Sequence, residues 1–110
     1  MEITIQNENG AAVVAVSGRL DAETAPAFSQ RVDAVIAEGT FRIVFDFTNL
    51  AYVSSAGLRD ILAAVKSAKG HGGGAAGFGA KGAVQDVFYY AGFEMVLPMA
   101  SSREHALRLV

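Results

Sequence analysis

Residues 50–68 read "LAYVSSAGLRDILAAVKSA", and where they are divided decides the fold. Leu58, Ile61, Leu62 and Val65 recur at i, i+3, i+4 and i+7, the apolar stripe of an amphipathic helix. The helix therefore starts near Ser54 or Ser55, with two hydroxyls and a glycine, Gly57, around its first turn. One serine serves as an ordinary N-cap, a role worth about 1 kcal/mol. Gly57 is harder to place. Glycine inside a helix costs up to about 1 kcal/mol relative to alanine, so something needs the backbone close or bare there. Free N–H groups and the positive end of the helix dipole also stabilise a phosphate or carboxylate at such a point. A phosphate on one of these serines would leave the helix standing.

Working outward, "FRIVFDF" at residues 41–47 is β-branched and aromatic, too apolar for a surface strand. It is the candidate central strand. Before it, Thr24 is a candidate N-cap and Pro26 falls in the first helical turn, where its missing N–H is harmless. Phe28, Val32, Val35 and Ile36 make one helix face, and Gly39 ends that helix as its C′ residue. At the start, "MEITIQ" alternates apolar and polar residues, "NENG" (Asn7 to Gly10) is turn chemistry, and "AAVVAVSG" is a second strand. Together they predict a hairpin.

After the helix that starts near Ser54 or Ser55, "KGHGGGAAGFGAKG" holds more than half of the chain's 12 glycines. The apolar run Ala75 to Ala80 predicts a Gly-rich turn followed by a short buried strand. Val84, Val87, Phe88 and Ala91 form a further helical face stopped by Gly92. "MVLPM" is a last strand with Pro98 near its end, and Ser101 with Glu104 has capping-box spacing for a terminal helix. The order is ββαβαβαβα. Strands alternating with helices imply right-handed crossovers and a single, mostly parallel mixed sheet with an antiparallel N-terminal edge and about four helices. In such sheets, sites gather at the carboxyl ends of the strands.

Composition narrows the function. The 110 residues fit one domain, spanning 1–110. At 52% hydrophobic they can build a core, and a net charge of -2 gives no clustered basic face for nucleic acid. There is no cysteine, so thiol chemistry and thiolate metal sites are excluded. With only His71 and His105, no metal site is expected. "MEITIQNENG" lacks the basic and apolar regions of a signal peptide, and no apolar run approaches the roughly 20 residues of a membrane span. A cytoplasmic protein with no direct membrane insertion is the expectation.

Three groups of residues could carry chemistry. Gly77, Gly79 and Gly82 spell G-x-G-x-x-G, but a dinucleotide site needs a long βαβ unit and a ribose-binding acid about 20 residues on. Gly79 falls inside the strand assigned above, and close backbone packing explains these glycines better. Asp21 and Asp46 would form a carboxylate pair if their strand ends adjoin. Ser54 and Ser55 have no evident base and lie outside any G-x-S-x-G elbow, so no catalytic residue is assigned and no enzyme is expected.

"GRLDAETAPAF" (18–28), "FDFTNLAYVSSAGLRDILAAVK" (45–66) and "VFYYAGFEMVLPM" (87–99) closely resemble the STAS domains, the anti-sigma factor antagonists of bacteria. The likeness runs through essentially the whole chain, and Ser54-Ser55-Ala56-Gly57-Leu58 is its most specific part. The resemblance implies a protein that binds an anti-sigma factor of the histidine-kinase-like ATPase fold and so frees a sigma factor. It implies that this kinase phosphorylates Ser55 (Ser54 being the lesser candidate), abolishing binding, and that a PP2C-type phosphatase restores it. The implied partner-binding residues are Asp21, Thr24, Ser54, Ser55, Ala56, Gly57 and Arg59, with no cofactor. The chain departs from the common pattern at Ser54, where well-studied antagonists often carry aspartate, and at Ala56, where many carry serine or threonine. STAS domains also serve as transporter modules, including stand-alone subunits of lipid-transport ATPases, and that is the alternative. A small nucleotide-binding or phosphoryl-transfer enzyme, suggested by the glycines from Gly72 to Gly82, ranks third.

Overall fold

The structure is a computed structural model describing residues Met1–Val110. Its elements are β1 (Glu2–Glu8), β2 (Ala11–Leu20), α1 (Ala25–Ala37), β3 (Arg42–Asp46), β4 (Leu50–Val53), α2 (Ser55–Gly70), β5 (Gly74–Phe78), α3 (Gly82–Tyr90), β6 (Met99–Ala100) and α4 (Arg103–Leu109), with a 3₁₀ turn at Phe93–Met95. The expected order is present, with one strand added. β4 is a four-residue segment in which only Leu50 and Val53 are buried. That pattern is neither alternating nor continuous, so it carries no strand signal of its own. It exists because β2 is long. The first part of β2 pairs with β3 (Ala12 opposite Ile43 to Ala15 opposite Asp46). Beyond an irregularity at Gly18 and Arg19, its last residues pair in parallel with β4, Leu20 opposite Val53.

The sheet runs β1-β2-β3-β5-β6, with β4 joined to β2. Only the first pair is antiparallel, and its two-residue turn has Asn9 at φ 53° and Gly10 at φ 79°. Positive φ at both positions is the turn whose twist matches paired strands. β3 sits centrally, and Ile43, Val44 and Phe45 are fully buried, as a strand covered on both faces must be. Phe28, Val32 and Ile36 of α1 and Ile61 and Val65 of α2 join one core with Val14, Val16, Ile43 and Phe45. An aromatic ladder continues it through Phe45–Phe47 at 5.9 Å, Phe47–Phe88 at 5.0 Å and Phe88–Phe93 at 5.5 Å. The opposite face has a smaller core, Val13, Val44 and Ala76 under Ala106 of α4. α4 is held there by Arg103, whose Nε donates to Glu8 at 3.0 Å and whose Nη2 donates to Gln6 at 2.8 Å.

Three boundaries move. β5 ends at Phe78, so Gly79 follows the strand rather than lying in it. Its φ of 85° and the approach of Thr48, whose N would stand 2.9 Å from a Cβ, both demand glycine. The last strand starts at Met99, after Pro98, because Gly92 (φ 66°) turns Phe93–Met95 into a 3₁₀ turn. The cap of α4 is Ser102, which accepts from His105 N at 3.1 Å. Ser101 instead donates its backbone N–H to His105 Nδ1 at 3.1 Å.

Candidate functional site

The connections β2–α1 and β4–α2 meet at one edge of the sheet, because their strands pair to the end. Ser54 N donates to Leu20 O at 2.9 Å, which ties the start of α2 to the residue before Asp21. On the α1 side, Asp21 Oδ1 accepts from Glu23 N at 3.0 Å and Thr24 N at 3.2 Å. Thr24 Oγ1 accepts from Asp21 N at 2.9 Å and donates to Arg19 O at 2.9 Å. This is the reciprocal logic of a capping box. Thr24 precedes the helix as expected, but its hydroxyl faces back to Asp21 and makes no cap bond of its own. Desolvation pushes the Asp21 carboxyl upward, yet the N–H groups of Thr24 and Glu23, the Thr24 hydroxyl and the Arg19 guanidinium outweigh it and hold its pKa below the usual value.

On the α2 side the two serines divide the work. Ser54 is the N-cap, its Oγ accepting from Gly57 N at 3.2 Å. Ser55 is the first helical residue and is exposed, as is Arg59; Ser54 and Ala56 are half-buried. Gly57 is buried against β2: a Cβ there would fall 2.7 Å from Leu20 O and 2.9 Å from Leu20 Cγ. Close packing onto the strand therefore accounts for this glycine without a ligand. Asp60 Oδ2 accepts from Ser29 Oγ at 2.9 Å and fastens α2 to α1.

Two residues here escaped the sequence. Arg19 and Tyr52 are register partners, and the Arg19 guanidinium lies 4.1 Å from the centre of the Tyr52 ring. Arg19 Nε is also 3.6 Å from Asp21 Oδ2. The only signal was the β2–β4 register, invisible without β4. Beside Tyr52, a wholly apolar cleft of about 130 Å³ runs between β4 and α3, lined by Ala51, Tyr52, Val53, Ala83, Val84 and Val87.

The remaining candidates are not brought together. Asp46 lies opposite Ala15 of β2, several residues before the turn that holds Asp21, and its Oδ1 accepts from Thr48 N and Thr48 Oγ1. His71 stacks on Phe41 at 4.8 Å, while His105 sits in α4. The largest concavity, about 560 Å³ at the carboxyl ends of β5 and β6, includes Gly79, but Glu94 is the one ionisable side chain among its nine lining residues. Nothing in that lining would neutralise a phosphate chain. No helix is long and apolar enough to cross a membrane.

A family model described as "Mlab, STAS domain" matches residues 3–98. BtrV of Bordetella bronchiseptica, named as a candidate anti-sigma factor antagonist, is 31% identical over 106 residues, covering 96% of this chain and 91% of that protein. An anti-sigma factor antagonist from Mycobacterium paratuberculosis superposes with a TM-score of 0.86 at 25% identity, over 99% of this chain and 92% of that one. A candidate antagonist from Thermotoga maritima shares the fold at a TM-score of 0.91 and 18% identity, over 98% and 93% of the two chains.

Proposed function

The chain belongs to the STAS family, and from that premise we propose that it is an anti-sigma factor antagonist switched at Ser55. Residues 1–110 act as one domain. With a free hydroxyl at Ser55, the edge bearing Asp21, Thr24, Ser54, Ser55, Ala56, Gly57 and Arg59 binds an anti-sigma factor of the histidine-kinase-like ATPase fold. That partner transfers the γ-phosphoryl group of ATP to Ser55 Oγ, and a PP2C-type phosphatase hydrolyses the ester. The chain itself is a binding module and substrate rather than a catalyst.

One observation carries this assignment. Ser54 does the capping, which leaves Ser55 exposed and free to be modified without loss of the cap. The name of BtrV supports the biological setting. A phosphate adds a charge of about -1.5 to -2, beside Asp21 and on a chain whose net charge is only -2. Burying that charge imperfectly paired in a contact costs several kcal/mol, and each 1.4 kcal/mol is tenfold in affinity. One phosphate is therefore enough to release a partner.

The test is a pull-down from the native cells with wild type and Ser55→Asp, the retained proteins being identified by mass spectrometry. A kinase-fold anti-sigma factor held by wild type and lost with Ser55→Asp is the expected result. A second reading within the same family is a stand-alone STAS module of a lipid-transport ATPase, in which Ser55 need not be modified. A transport ATPase or permease held equally by both proteins would replace the switch with that role, and Ser55 would be no more than the first residue of α2.

A further inference from the structure

Strand β1 ends the sheet, and only one of its sides is used. Its register with β2 is unbroken from Glu2 opposite Ser17 to Glu8 opposite Ala11. Glu8 and Ala11 close the two-residue turn, so they exchange both backbone hydrogen bonds, and every second pair before them does the same. Glu2, Thr4, Gln6 and Glu8 therefore spend their backbone groups on β2, whereas Ile3, Ile5 and Asn7 turn theirs outward. Two contacts report the same alternation. Ser17 Oγ, from β2, donates to Glu2 O at 3.5 Å, and Arg31 Nη1, from α1, donates to Ile3 O at 3.5 Å. The backbone groups of Ile5 and Asn7 on that outer side have no partner in the chain. The opposite edge of the sheet is protected by its brevity, since β6 has two residues. β1 has seven, with no proline, lysine or bulge to discourage pairing.

We propose that β1 pairs antiparallel with β1 of a second copy, about a two-fold axis at Gln6, so that one sheet runs through both subunits. The occupant is a second copy because in this register the strand is its own complement. Ile5 meets Asn7 of the second copy and Asn7 meets its Ile5, each pair exchanging two backbone bonds, while Ile3 keeps Arg31. Arg103 reaches Gln6 and Glu8 from α4, which puts the even-numbered side chains on that face. There Thr4 lies opposite Glu8 and Gln6 opposite Gln6, so no like charges oppose each other. Other registers are worse. An axis at Ile5 sets Glu2 against Glu8 and claims Ile3 O from Arg31; an axis at Thr4 also claims Ile3 O. An axis at Asn7 leaves Ile5 opposite Asn9, in the turn. The dimer does not depend on Ser55 or its modification.

The test uses the full chain by itself. Sedimentation should show a monomer–dimer equilibrium with half association at about 100 µM, as befits a contact smaller than a stable interface. As the protein is concentrated, amide exchange should slow at Ile5 and Asn7. Thr4 and Gln6, already bonded to β2, and Ile3, outside the pairing, should keep their rates. Thr4→Glu sets carboxylates against Glu8 on both sides of the axis and should raise the dissociation constant about tenfold, whereas Thr4→Lys should lower it about threefold. Asn7→Pro removes an outward N–H that β2 does not use, so the chain should fold and stay monomeric. A wild-type chain still monomeric at about 1 mM would overturn the dimer and leave this edge to a strand of another protein. Association indifferent to the charge at position 4 would overturn it too, as would protection of Ile3 in place of Asn7. A failed pull-down, in contrast, sinks the partner switch and leaves this pairing standing.

Discussion

The chain writes two serines side by side twice, at Ser54-Ser55 before α2 and at Ser101-Ser102 before α4, and folds them in opposite senses. In α2 the first serine caps and the second enters the helix; in α4 the second caps and the first stays outside. The position after the cap is exposed Ser55 in one case. In the other it is Arg103, engaged with Glu8 and Gln6. The residue whose N–H meets the cap is Gly57 in α2 and His105 in α4. α2 lies against Leu20 and has no room for a Cβ at that position, while α4 rides on the other face of the sheet and carries a full imidazole. A dipeptide's function is therefore set by the surface its helix packs on. Only α2 combines a satisfied cap with an unclaimed hydroxyl.

The largest expected effect tests whether the two pairs differ in kind. Ser55→Asp should weaken anti-sigma factor binding about 100-fold, roughly 3 kcal/mol, whereas Ser101→Asp should leave affinity, measured by calorimetry, essentially unchanged. Equal losses would erase the distinction. Next, Gly57→Ala should destabilise the fold by about 2 kcal/mol, because the added methyl overpacks against Leu20; urea unfolding measures it. A stabilised variant would mean that helix propensity wins and the packing is loose.

Smaller changes sharpen the comparison. Ser54→Ala and Ser102→Ala should each lower stability by about 1 kcal/mol through the lost cap, while Ser55→Ala and Ser101→Ala stay within about 0.5 kcal/mol. The same urea series ranks all four. The smallest effect concerns the third N-terminus, that of α1. Asp21 has a lowered pKa in the fold, so its contribution is present above the ordinary carboxylate pKa of about 3.9 and is lost as pH falls through the folded value. Asp21→Asn should flatten the fall of the urea midpoint below about pH 4, and an unchanged acid slope would show that Asp21 binds protons alike in both states.

Much of this was legible because local chemistry and burial agreed. The hairpin turn, the buried face of α1, Ile61 and Val65 of α2, Val84 and Phe88 of α3, and the glycines ending α1 and α3 follow from spacing and from positions that need positive φ, whereas Leu58, Leu62 and Val87 are only half-buried and Ala91 is the exposed C-cap of α3. What escaped depended on partners distant in sequence. β4 becomes a strand only because β2 extends past β3 to receive it, and with β4 hidden the Arg19–Tyr52 pair was hidden too. Gly57 signals a backbone brought close, but only the structure shows that what approaches it is Leu20. Choosing between Ser101 and Ser102 needed the side-chain position of His105, which no capping pattern supplies.

The division of β2 between β3 and β4 also has a dynamic consequence. Both loops of the site hang from the last three residues of one strand, Leu20 by its carbonyl to Ser54 and Arg19 by its carbonyl to Thr24. Breathing of that short segment frees the two loops together, while the first half of β2, clamped between β1 and β3, stays closed. Amide exchange should therefore change tempo near Gly18, with the protons of Asp21, Thr24 and Ser54 released in concert as one small opening unit. A partner gripping this edge would slow all three at once.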